Sequence, residues 1–174
     1  MSIQTLDKLL ICHIDCSIWS GRKKLRPEDF RLANGSQLPP KDVASLGSKK
    51  ICDPEALANF ERLKKEAQRL CEQVGVRFLG GYAVPEDRID QIVPELDRIG
   101  QEFAQCKQLF LDNYDQVTLD WVAKHPEFAD AIRRALSPIE DVEQRLQFDY
   151  AIYRMQPADQ AGGLDDKVNG MGHT

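Results

Sequence analysis

Two long amphipathic stretches constrain this chain more than any other feature. The first follows Asp53-Pro54, an N-cap acceptor with proline at the first helical position. From there Ala56, Leu57, Phe60, Leu63, Ala67, Leu70, Cys71 and Val74 recur at steps of three and four until Gly75. One apolar stripe therefore runs along a helix of about six turns. The second stretch opens at Pro85, where Ile89, Ile92, Leu96, Ile99, Phe103, Cys106 and Phe110 repeat in a 3-4-3-4 spacing. That spacing is close to a coiled-coil seam. Two such stripes, separated only by "VRFLGGYAV", predict a long helical hairpin. Pro94 lies inside the second pattern and predicts a kink or a detached first turn, because it removes a backbone donor.

The remainder alternates between strand and short-helix patterns. In "LLICHIDCSIW", Leu9 to Trp19, Cys12, Ile14, Cys16 and Ile18 share one face while Ile11, His13, Asp15 and Ser17 share the other. This period of two is that of a half-buried strand. Residues 76–84 are strand-like but interrupted at Gly80-Gly81, which predicts a bulge or a hairpin bend. "QFDYAIYRM" alternates again. Short helices are expected at 115–124, 126–136 and 138–146, the last with Ser137 as cap and Pro138 at its first position. Residues 27–50 carry Pro27, Asn34-Gly35, Pro39-Pro40 and Gly47, the marks of a connection with one helical turn at 27–33. The expected fold is α+β and helix-dominated, with a small antiparallel or mixed sheet at one end of the long hairpin. A single globular domain is expected over 1–156, with a flexible glycine-rich tail over 157–174.

Several function classes are disfavoured by simple counts. No apolar run approaches the roughly 18 residues of a membrane span. The first apolar run is short, has Asp7 before it and Asp15 within the continuing segment, and lacks a small-residue cleavage site, so no signal peptide is expected. Five cysteines at irregular spacing point to reduced thiols and a cytoplasmic address. Net charge is −5, but it is unevenly spread. Residues 1–50 hold nine Lys or Arg against five acids, and residues 51–174 hold fourteen against twenty-three. An acidic body with a basic amino-terminal edge disfavours direct nucleic-acid binding.

Catalytic and metal chemistry find little footing. Cys12 and Cys16 fall on the apolar face of the first strand and His13 on the other, so the three cannot converge on one ion. Cys71 and Cys106 sit on apolar helical faces, as small buried hydrophobes do. Cys52 alone lies at an exposed-looking boundary, where a helix dipole would lower its pKa, but no nucleophile signature surrounds it. "SLGSKK" lacks the GxxxxGK[ST] spacing, and "FLGGYA" is no dinucleotide fingerprint. The acid pairs Glu86-Asp87 and Glu140-Asp141 fall in the first turns of expected helices, where the dipole accounts for them. No enzyme, metal or cofactor is expected.

Two glycine–basic elements remain. "IWSGRKKLRP" presents Arg22, Lys23, Lys24 and Arg26 after Gly21, and "LGSKKI" presents Lys49 and Lys50 after Gly47. Charge runs ordinarily face water. Here, however, glycine permits close backbone approach, and apolar anchors flank both runs. Trp19 with Arg22, Lys23, Lys24, Arg26, Lys49 and Lys50 is therefore the expected protein-binding edge. The alternative is an acidic surface on the two long helices, carried by Glu61, Glu66, Asp90 and Asp97.

"DCSIWSGRKKLRPEDF", "LPPKDVASLGSKKICDPEAL", "GVRFLGGYAVP" and "RLQFDYAIYRMQPA" occur in that order within residues 9–158. Together they resemble a bacterial family, domain of unknown function 3150. The pairing of "SIWSGRKKL" with "LGSKKICDP" is its most specific part. The resemblance implies carriage on plasmids, integrative elements and phages. It also implies, for some members, a gene near a MoxR- or CobS-like AAA ATPase and a von Willebrand A-type protein. It brings no catalytic residues. The expected function is a non-enzymatic adaptor or regulator of a larger assembly, with an AAA ATPase as one partner. The alternative is a counter-defence inhibitor of a host immune complex, acting through the acidic helices.

Overall fold

The structure is a computed structural model that describes residues 8–29 and 47–155. The expected turns at Asn34-Gly35 and Pro39-Pro40, the 27–33 turn beyond Asp29, and the 157–174 tail lie outside these residues. In order come β1 (Leu9–Ser17), β2 (Arg22–Lys24), β3 (Ser48–Lys50), α1 (Ala58–Val74), β4 (Val76–Phe78) and β5 (Gly81–Pro85). Then follow α2 (Ile89–Asp112), α3 (Tyr114–Lys124), α4 (Ala129–Arg133), α5 (Ile139–Gln144) and β6 (Gln147–Arg154). Short 3-10 turns occupy Pro27–Asp29, Pro54–Leu57, Glu86–Arg88 and Pro126–Phe128. The fold class is α+β, as the apolar periodicities predict. Contacts divide the described residues into two compact units, one of 8–15, 64–101 and 148–155, the other of 16–29, 47–63 and 102–147.

The first unit carries a four-stranded sheet in the order β4-β5-β1-β6. β1 and β5 run antiparallel, with Leu9 opposite Pro85 and Cys12 opposite Tyr82. β4 and β5 form a hairpin, so Gly80-Gly81 marks a bend and not a bulge. Its two turn residues, Leu79 and Gly80, have φ of 48° and 78°, the signs that a two-residue type I′ loop demands. Cys12 and Cys71 join β1 to α1 with their sulfurs 3.8 Å apart in the core. Gly75 ends α1 for a steric reason. A Cβ there would lie 2.4 Å from the carbonyl oxygen of Ala83 on β5, so only glycine lets the helix end approach the strand. α2 contacts α1 here through the Arg98–Glu66 ion pair. The helix runs unbroken from Ile89 through Pro94, so of the two outcomes expected there, a kink or a detached first turn, the second does not occur. Pro94 and Asp90 are both exposed, so water can serve the one carbonyl that proline leaves without a donor.

The second unit is built on aromatic packing. Trp19 lies against Phe110 and Tyr114, with centroids 6.3 and 6.0 Å away. Phe60 of α1 meets Phe103 and Phe110 of α2 edge-on at 5.0 and 6.0 Å. Arg62 and Glu102 pair beside them. Offset and edge-on aromatic pairs of this kind contribute about 0.5–1.5 kcal/mol each beyond the area they bury. The Tyr114 hydroxyl donates to the carbonyl of Ser137 at 2.8 Å. Ser137 is buried and its side chain caps nothing; α5 starts after Pro138 without a side-chain cap. The expected 126–136 helix resolves into a 3-10 turn and the short α4.

Candidate functional site

The two glycine–basic elements lie side by side in the second unit. β2 and β3 pair antiparallel, with Arg22 opposite Lys50, Lys23 opposite Lys49 and Lys24 opposite Ser48. The ribbon is closed at one end by Ile51 N–H donating to the Gly21 carbonyl at 2.8 Å. At the other end Leu25 N–H donates to the Gly47 carbonyl at 3.1 Å. Gly21 adopts φ +61°, and a Cβ there would press to 3.3 Å on Cys52 and Leu57. Below it Trp19, Ile51 and Cys52 are all buried. Trp19, expected among the contact residues, is only 2% exposed. It fixes the base of the ribbon to the aromatic core and presents nothing to a partner.

Two cation pairs facing each other across a three-residue ribbon oppose its formation, since like charges directly opposite repel. One pair is relieved locally. Lys49 forms an ion pair with Asp29 from the 3-10 turn that follows β2, and Asp29 also accepts from the Arg26 N–H at 2.9 Å. Burial works against the Asp29 carboxylate, but Lys49, the Arg26 amide and Arg134 outweigh it and hold its pKa below the usual value. Arg22, Lys23, Lys24, Arg26 and Lys50 have no ion-pair partner among the described residues.

Two clefts adjoin the ribbon. The first, about 430 Å³, is lined by Lys23, Lys24, Arg26, Glu28, Arg134 and the Lys49–Asp29 pair. With Asp29 neutralised, four cations face the single carboxylate of Glu28. Arginine and lysine so arranged recognise carboxylates or phosphates. The second, about 420 Å³, is an apolar groove walled by Leu25, Trp121, His125, Phe128 and Ile132. Asp29 and Lys49 line both. The Trp121 indole N–H donates to the Lys50 carbonyl at 3.1 Å, and its ring meets His125 at 4.3 Å. Lys124 reaches Asp53 at 3.0 Å and so ties α3 to the turn before α1.

Sequence reasoning found Arg22, Lys23, Lys24, Arg26, Lys49 and Lys50 but missed Arg134, Trp121, His125 and Phe128. A signal was present in "WVAKHPEF", whose three rings fall at positions i, i+4 and i+7, one face of a helical run. Phe128 is 52% exposed, a large ring left in water.

Of the alternative acidic residues, two have partners within the fold and two have none among the described residues. In the first unit Glu66 pairs with Arg98, and Asp97 accepts from the Tyr150 hydroxyl at 2.5 Å. Burial, with the Asp97 charge adding, pushes the Tyr150 phenol up to about 12. Asp90 is exposed there, and Glu61 is exposed in the second unit. The Cys52 thiol is buried, and burial with the Asp53 charge pushes it up to about 11, opposite to the lowering expected from a helix dipole. No group of three His, Cys, Asp or Glu is placed to hold a metal among the described residues. No helix among them is long and apolar enough to cross a membrane.

The profile of a family described as "Protein of unknown function (DUF3150)" matches residues 6–174. The chain belongs to the DUF3150 family. The match runs beyond the 9–158 span of the quoted motifs, so the DUF3150 region takes in the carboxyl-terminal residues as well. No curated protein and no solved structure matches this DUF3150 chain.

Proposed function

We propose that this DUF3150 chain is a non-enzymatic protein-interaction module, an adaptor or regulator of a larger assembly. One observation carries the reading. Two separate basic elements are joined into a ribbon whose facing cations repel, and among the described residues only one of those pairs is compensated. Uncompensated repulsion beside a cleft is the kind of local conflict that marks a binding surface. An AAA ATPase of a mobile genetic element is the partner class implied by the family resemblance. On this reading the protein works in the cytoplasm, where free thiols such as its five persist. The counter-defence alternative draws less support, because Glu66 and Asp97 already have partners within the fold.

The test is affinity capture from the native host with tagged full-length chain and with the Lys23→Glu/Lys24→Glu double variant. Lys24 is exposed and Lys23 half-buried, so circular dichroism is recorded to show the variant folded. The expected result is a captured partner that disappears on charge reversal. Capture of the same partner, undiminished, by a folded variant would remove the ribbon from the docking surface. Loss of that partner only on charge reversal at Asp90 and Glu61 would favour the acidic reading.

A further inference from the structure

Resting on that docking reading, we infer that the apolar groove seats a bulky hydrophobic side chain of the partner. The side chain is carried in a short acidic segment whose carboxylates meet the cations of the neighbouring cleft. Both halves of this recognition are on the ribbon. The groove has aliphatic and aromatic walls from Leu25, Trp121, Phe128, Ala131 and Ile132, and its volume of about 420 Å³ is that of a ligand pocket. Trp121 spends its only polar hydrogen on the Lys50 carbonyl, so its ring offers the groove an apolar surface. The basic cleft begins where the groove ends, at the shared Asp29–Lys49 pair. A segment crossing that pair would place an apolar anchor on one side and acids against Lys23, Lys24, Arg26 and Arg134 on the other.

Charge complementarity names the acidic character of the occupant, since these cations outnumber Glu28, the one unpaired carboxylate among the described lining residues. A single-stranded nucleic acid also combines negative charge with apolar faces. The net charge of the chain as a whole, −5, disfavours it.

Fluorescence anisotropy on the full-length chain tests the inference with three labelled probes: the peptides DEDLWDE and DEDGSDE, and a short oligothymidine. DEDLWDE should bind at least about tenfold more tightly than DEDGSDE, the scale of one buried bulky side chain. Phe128→Asp should erase that advantage, and the milder Phe128→Ala should reduce it. Lys23→Glu/Lys24→Glu should weaken both peptides. If both peptides bind equally and both are lost on charge reversal, the docking reading stands and the groove inference falls. If only the oligothymidine binds, both fall and the rings are a base-stacking platform. Absence of peptide binding, or self-association that Phe128→Asp abolishes, also overturns the inference, the latter by making a second copy the occupant.

Discussion

Asp29 holds Lys49 at the junction of the two clefts with only 7% of its side chain exposed, against 13% for Lys49. Asp29→Asn keeps an acceptor for the Arg26 N–H but leaves a half-buried ammonium facing Lys23 without a counter-charge. The expected cost is about 1–3 kcal/mol at neutral pH. Its pH dependence follows from the lowered Asp29 pKa. A depressed carboxylate contributes stability above its unfolded pKa near 4, and that contribution is lost as pH falls through the lower folded value. The gap in melting temperature between wild type and Asp29→Asn should be full at pH 7 and shrink progressively below about pH 4. Asp53 is also depressed, first by the Glu55 N–H and then by Lys124, but it is common to both proteins and cancels in the difference. A gap that stays constant with pH would mean that Asn is harmful for some reason other than the lost ion pair. Leu79 is a second residue with a legible cost. It is 77% exposed and sits at φ 48°, where a Cβ is strained and asparagine is far better tolerated. Leu79→Asn should raise the urea midpoint, by about 1 kcal/mol in stability. An unchanged midpoint would argue that the turn relaxes at little cost.

At the scale of elements, the long helices were legible and the ribbon was only half so. α1 and α2 declare themselves because a buried stripe must repeat every three or four residues, and Phe60, Leu63, Ala67 and Cys71 do so. β2 and β3 offer three residues each, too few for a period, and their pairing depends on a long connection that carries no register signal. The groove was illegible for a related reason. Its walls come from the turn after β2, from β3, α3 and the α4 region, and only the spacing of Trp121, His125 and Phe128 hinted at a shared face. Trp19 misled because a tryptophan beside a cationic turn has the composition of a hot spot; whether it is buried depends on Phe110 and Tyr114, nearly a hundred residues away. Gly75 shows the same limit. It marks the end of a helix in the sequence, but the constraint comes from Ala83. Gly75→Ala should therefore cost about 1–3 kcal/mol by forcing α1 and β5 apart, well beyond the effect at an exposed helix end. Chemical denaturation measures it directly; a change of a few tenths would show that the helix end shifts freely.

At the scale of the whole molecule, the charge distribution decides how binding should respond to salt. The chain is acidic overall, yet Arg22, Lys23, Lys24, Arg26, Lys50 and Arg134 gather around one short ribbon. An acidic partner segment is drawn to that cluster and repelled elsewhere, so its encounter is steered and ionic strength matters. At about 0.1 M salt the screening length is near 10 Å, comparable with the reach of such a cluster. The groove contributes a different dependence, because apolar burial is not screened. DEDLWDE affinity should therefore fall steadily between about 0.05 and 0.5 M sodium chloride, and Lys23→Glu/Lys24→Glu should flatten that slope. Phe128→Asp adds a negative charge and would confound the comparison, so Phe128→Ala is the right partner variant. It should lower affinity by a similar factor at every salt concentration and leave the slope unchanged. Parallel lines for wild type and Phe128→Ala, with a flatter line for the charge reversal, would separate the two halves of the site. A slope altered equally by both variants would mean that groove and cleft do not act as distinct contacts.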